Sequence, residues 1–308
     1  MKLKYRHDTE NRPLCHIAAV LAVIMLLITG CSASPGSGKA TEIRVGSLKG
    51  PTSVGVIRMM HDQAKNDYTF TMETQPDVLL SSIVSGDLDI ALIPANVASV
   101  LYNKTGGAVS VIDINTLGVL YMVSGDHDIM NIRDLEGKTV YTTGAGQTPE
   151  YVLNYILDAN DLSGKVKVEF KSEATEVAAL LAKDPSAVGM LPQPFVTAAL
   201  AKNDKLSIVL DLTDEWDALD NGSRLVTGVT VVRNEFLKEH PDAVQAFLRD
   251  HAADAEFVNT DTETAAGYVE QAGIIEKAAV AKKAIPFCNI VCITGTDMKE
   301  ALSGYLEV

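Results

Sequence analysis

Two short loops carry the residues best suited to holding a small polar molecule. The first, Lys49–Gly55, offers a cation at Lys49 and hydroxyls at Thr52 and Ser53. The second, Thr143–Thr148, offers Thr143, the backbone of Gly144, the amide of Gln147 and the hydroxyl of Thr148, with Thr142 just before it. Each loop leaves a predicted strand and enters a predicted helix, so the first N–H groups of that helix lack intrahelical partners. Together with the helix dipole they suit a carboxylate, sulfonate, phosphate or similar group. The same residue types also cap helices in proteins that bind nothing. Glu150 already stands at the second helix start, which counts against an anion there. Asn96 and Gln193 lie just past two other predicted strand ends. Their amides can orient a polar ligand or simply begin a helix.

Other chemistries find no support. Neither loop ends in the Gly-Lys-Ser/Thr of a phosphate-binding loop, and Gly144–Gly146 falls short of a dinucleotide fingerprint. No Gly-x-Ser-x-Gly is present, and no nucleophile has a partnered histidine nearby, so catalysis is not expected. Asp126-His127-Asp128 reads as a charged loop. Asp211, Asp214, Glu215, Asp217 and Asp220 surround Trp216 in what reads as a solvated acidic loop, with a lip over a cleft as the alternative. Cys288 and Cys292 fall in AIPFCNIVCIT, which reads as a strand. Four residues along a strand span roughly 13 Å, too far for a disulfide, so both are expected to be small apolar fillers. The histidines show no ligand spacing with them. No metal and no cofactor is expected.

The elements that must position the loops occur twice. Ile90–Ile93 is a short apolar strand stopped by Pro94, with a helix from Asn96. Val188–Leu191 is stopped by Pro192, with a helix from Phe195. Thr52 precedes Pro94 by 42 residues and Thr148 precedes Pro192 by 44. Each half therefore runs strand, Gly/Thr loop, helix, strand, helix, strand–Pro, helix. Two such α/β units predict two similar lobes facing one another, with the carboxyl ends of their strands at the shared cleft. Gly107–Val123 is longer than an ordinary strand and suits a passage between lobes; Val226–Val232 reads as the return. Thr148-Pro149-Glu150 reads as a helix start with Thr148 as its cap.

The first 30 residues differ from the rest. Lys2, Lys4, Arg6 and Arg12 precede the apolar run Ile17–Ile28, and Gly30 precedes Cys31. This reads as a secretory signal peptide over 1–30. Residues 31–40 then form a flexible tether. Without the signal, 22 Lys and Arg face 38 Asp and Glu, a net charge of −16. A surface this acidic does not attract nucleic acid.

The chain after Cys31 resembles the substrate-binding lipoproteins of bacterial ABC importers, in the branch for nitrate, sulfonates, taurine and thiamine-pyrimidine precursors. The resemblance rests on GDLDIALIPANVAS, NIRDLEGKTVYTTGAGQTPEYVLNYIL, SAVGMLPQPFVTAAL and VTVVRNEFLKEHPDAVQAFL. It implies an α/β, two-lobed type II periplasmic-binding fold with two hinge crossovers. Lobe one would span 41–122 plus 228–308, and lobe two 123–227. It implies lipid on Cys31 within Ile28-Thr29-Gly30-Cys31, an extracytoplasmic monomer anchored to the cell membrane, and a permease with its ATPase as partners. The ligand would be a small polar, anionic solute held by Lys49, Thr52, Ser53, Asn96, Thr143, Gly144, Gln147, Thr148 and Gln193. Enzymes share this scaffold, such as dehydratases and pyrimidine-precursor synthases. The cysteine-rich motif of the latter is missing here, and the lipobox argues against a cytoplasmic dehydratase. A sensory or adhesive lipoprotein is the remaining alternative.

Overall fold

A computed structural model describes residues 41–63 and 67–308. The expected signal peptide, Cys31 and the tether lie outside the described residues. The first half holds β1 (Ile43–Leu48), α1 (Pro51–Val54), α2 (Ile57–His61), β2 (Tyr68–Glu73), α3 (Pro76–Ser85), β3 (Ile90–Pro94), α4 (Ala95–Lys104) and β4 (Val109–Leu117). A second run holds β5 (Leu120–Ser124), β6 (Thr139–Thr142), α5 (Thr148–Ala159), β7 (Lys167–Phe170), α6 (Ala174–Lys183), β8 (Val188–Pro192), α7 (Phe195–Lys202), β9 (Ser207–Asp211) and α8 (Leu212–Asp217). The chain ends with β10 (Val226–Arg233), α9 (Asn234–Glu239), α10 (Pro241–Thr260), α11 (Thr262–Gln271), α12 (Ala278–Ala284), β11 (Ile290–Ile293) and α13 (Gly295–Glu307).

The strands form two mixed sheets, ordered β11-β4-β10-β3-β1-β2 and β7-β6-β8-β5-β9. The two proline-stopped strands hold matching places. β3 pairs in parallel with β1 and antiparallel with β10, while β8 pairs in parallel with β6 and antiparallel with β5. All of β3 is buried, which is why it is written as an unbroken apolar run rather than an alternating one. Its entry is fixed by charge. Asp89 receives Arg44 Nη2 at 2.6 Å and Arg233 Nη2 at 3.0 Å, stitching β1, β3 and β10 together. Burial alone would raise the pKa of Asp89, but the hydrogen bonds from Arg44 and Arg233 hold it below the usual carboxylate range.

The long β-rich stretch breaks at Gly118-Val119 into β4 and β5, one in each sheet. A Cβ at Gly118 would collide with Thr213 Oγ1, so the crossover uses the one residue without a side chain. The buried core includes Ile93 and Leu101 beside the first sheet and Met122, Val140 and Leu153 beside the second. Helix α12 packs on α7. Among the described residues no helix is long and apolar enough to cross a membrane.

Three local expectations are corrected. The acidic stretch around Trp216 contains helix α8, with Asp211 accepting the Thr213 N–H at 2.8 Å as its cap. Trp216 is 2% exposed and packs between Tyr155 and Tyr305. AIPFCNIVCIT is not one strand: Pro286 sits in a 3-10 turn over Ile285–Phe287, and only Ile290–Ile293 is β11. Helix α5 begins with Thr148 itself, and Gln147 takes the cap position without a side-chain cap bond.

Candidate functional site

The carboxyl ends of β1, β3, β6 and β8 converge on one cleft with about 170 Å³ of water-accessible space. Leu48 closes β1 and Lys49 follows it, Pro94 closes β3, Thr143 and Gly144 follow β6, and Pro192 closes β8; all line it. Thr52, Gln147 and Thr148 complete the sequence-expected set at the cleft. Each loop can reach the cleft because its strand stops short and the chain turns into a helix at the sheet rim.

The donors are unequal. Thr52 Oγ1 donates its proton to Leu48 O at 2.7 Å and Thr148 Oγ1 donates to Asn96 Oδ1 at 2.9 Å. Both hydroxyl protons are therefore already committed within the fold. Glu150 turns its carboxylate onto its own loop and accepts the Gly146 N–H at 2.6 Å, leaving Lys49 and Glu173 as the charged residues of the lining. Thr227 Oγ1 is buried without a partner in the lining. A buried hydroxyl with no bond is unusual in a folded protein.

Three expected site residues are not among those lining the cleft. Ser53 is fully buried, with Oγ 2.8 Å from both Ser47 Oγ and Leu48 O. Asn96 bridges the two halves: its Nδ2 donates to Gly146 O at 3.0 Å while its Oδ1 receives Thr148. Gln193 accepts Thr197 N and Oγ1 through Oε1, so it serves the start of α7. The sequence reading missed Thr74, Gln75, Ser172, Glu173, Thr175, Phe195 and Thr227. Most follow β2 or β7, whose carboxyl ends reach the same rim. Gly228 supports the floor: a Cβ there would overlap Asn115 Oδ1 and stand 2.9 Å from Thr52 Cγ2.

A second polar cluster lies elsewhere in the first lobe. Histidine and cysteine, 41 residues apart in sequence, meet in space: one ligand atom each from Asp113, His251 and Cys292 lies within 4.8 Å of the others. The sequence spacing gives no sign of this cluster, which only the fold assembles. Cys288 and Cys292 are free; Cys288 is fully buried, and burial pushes its thiol up to about 12. Asp126 of the charged loop pairs with Lys138 at 2.8 Å.

Two duplicated α/β lobes with their strand ends at a common cleft define the type II periplasmic-binding class. The family model described as NMT1/THI5 like matches residues 106–265, and the chain belongs to that family. Among solved structures, the chain is similar to an ABC transporter protein from Parabacteroides distasonis, at 22% identity and TM-score 0.72, covering 87% of this chain and 91% of that one. It is also similar to the periplasmic aliphatic sulphonate binding protein SsuA from Escherichia coli, at 12% identity and TM-score 0.68, covering 86% of each chain. The alkanesulfonate-binding protein SsuA from Xanthomonas axonopodis pv. citri, bound to MOPS, matches at 14% identity and TM-score 0.65, covering 86% and 91%. At these identities the likeness is one of fold. A search of curated proteins finds no match.

Proposed function

We propose that the protein is the extracytoplasmic solute-binding component of an ABC importer. It would hold one small polar, anionic solute between its lobes and pass it to a permease driven by an ATPase. Lipid on Cys31 would anchor it, with 41–122 plus 228–308 as one lobe and 123–227 as the other. Differential affinity of the solute for the closed arrangement supplies the switch. The reading is supported by family membership and carried by one observation. The cleft joins matching strand ends of two sheets, and its lining brings together Lys49, the Gln147 amide and the unpartnered Thr227 hydroxyl. Lys49 would face the charged head of the solute. We read the solute as bound rather than transformed, because the lining holds no histidine or cysteine and its one hydroxyl–carboxylate pair, Thr175 with Glu173 at 3.2 Å, is a contact within the start of α6.

The test is native mass spectrometry of the protein purified from its own cells without refolding. A bound molecule of defined mass, released unchanged on denaturation, is the expected result. Its affinity should fall at least tenfold in Lys49→Ala, about 1.4 kcal/mol or more. A molecule released in altered form would overturn the reading in favour of an enzyme. So would an empty protein whose melting temperature no sulfonate, nitrate, carboxylate or pyrimidine raises.

A further inference from the structure

We infer that Asp113, His251 and Cys292 form a binding site for one divalent transition-metal ion of the zinc class, apart from the solute cleft. The three come from separate elements: Asp113 from β4, Cys292 from β11 beside it, and His251 from α10, which packs on β11. None of them lines the cleft.

Two observations point to an ion. The first concerns charge. Asp113 and His251 are fully buried, and a carboxylate taken out of water costs several kcal/mol unless a cation answers it. Thr230 Oγ1 donates to Asp113 Oδ1 at 2.8 Å, leaving Oδ2 to face His251 Nδ1 at 3.3 Å. A charge-assisted N–H···O bond is usually about 2.7–2.9 Å. The longer separation matches the edge of a tetrahedron of ligands held at about 2.0–2.1 Å from a metal.

The second observation is the other ring nitrogen. His251 Nε2 is buried and has no partner. It sits beside Gly55, where even an added Cβ would stand 3.5 Å away. No protein group therefore fixes the tautomer from that side, so the ring can carry its proton on Nε2 and turn the Nδ1 lone pair toward an ion beside Asp113. Carboxylate, imidazole and thiolate together suit zinc or cobalt, whereas calcium and magnesium prefer oxygen alone. The competitor is a proton. Burial pushes the pKa of His251 down, but the Asp113 carboxylate outweighs it and lifts the value to about 10. An entering ion displaces that proton and the Cys292 thiol proton to solvent. Once bound, it would brace the segment just past α1, the short helix that carries Thr52.

The test uses the purified protein with Cys292→Ser, His251→Gln and, as a control, Cys288→Ser. Metal content is measured by elemental mass spectrometry after purification without chelators. Chelator-stripped protein is then titrated with Co²⁺, whose thiolate complexes absorb strongly in the near ultraviolet. The expected result is one Co²⁺ per chain with the thiolate band, displacement by Zn²⁺, and a melting temperature raised by Zn²⁺. Cys288→Ser should keep all three, Cys292→Ser should lose the band, and His251→Gln should bind at least tenfold more weakly. Cys292 is half-buried and its replacement nearly isosteric, so that variant reports even where His251→Gln fails to fold. No thiolate band in the wild type at stoichiometric Co²⁺, or unchanged binding in Cys292→Ser, would overturn the inference and leave the His251 proton as the cation answering Asp113.

Discussion

Asp254 shows how one buried acid sets a pH dependence. It lies on α10 and accepts Met59 N at 2.8 Å and Arg58 N at 3.3 Å, capping the short helix α2 from a neighbouring element. Burial pushes its pKa up to about 6 despite those bonds. The folded value lies above the unfolded one, so the protonated side chain favours folding. That contribution is fully present below about pH 4 and lost as pH rises through about 6. The stability difference between wild type and Asp254→Asn should therefore fall by about 1–3 kcal/mol between pH 4 and pH 7. Urea denaturation across that range measures it, and a flat difference would show that burial does not hold the proton there. Asn96 makes a different point at the same scale. Its amide donates to Gly146 O and accepts from Thr148, which ties the two halves together.

At the scale of elements, Gly228 links strand and loop. It pairs with Pro94 on one side of β10 and Thr116 on the other, and Thr52 lies against its bare Cα. Gly228→Ala should destabilise the fold by about 1–3 kcal/mol through overpacking and also weaken solute binding by displacing the Thr52 loop. A denaturation curve and a binding isotherm on the same variant check both; unchanged affinity would detach Thr52 from the site. The duplicated units were readable in the sequence because their signals are local: an apolar run, a proline, a helix start. Lys49, Thr52, Thr143 and Gln147 were readable for the same reason, since a loop leaving a central strand reaches the sheet rim. Asn96 and Gln193 stand outside the cleft lining, and the sequence could not show it because an amide's place depends on its partner. One partner is Gly146, 50 residues away, and the other is Thr197 in the helix that follows Gln193. Thr227 gave no signal at all: its place in the cleft follows from the antiparallel return of β10, which only the assembled sheet reveals. The meeting of His251 with Cys292 depends on the same long-range assembly.

At the scale of the molecule, the packing of α12 on α7 is not the one seam between the two halves. The crossovers at Gly118-Val119 and before β10 are covalent, Asn96 supplies hydrogen bonds, and the carboxyl-terminal helix α13 supplies an aromatic contact. Tyr305 of α13 lies 5.6 Å from Trp216, which in turn lies 4.8 Å from Tyr155 of α5. The indole donates through Nε1 to Ser223 Oγ at 3.1 Å. Trp216 is the single tryptophan of the chain, and it stands where any rotation of one half against the other must alter its neighbours. The protein thus carries its own fluorophore at the seam. Titrating solute should shift its emission in a saturable way, with no label attached, and Tyr305→Leu should change the resting spectrum. Emission that stays constant through saturation would mean that this seam does not move when the cleft fills.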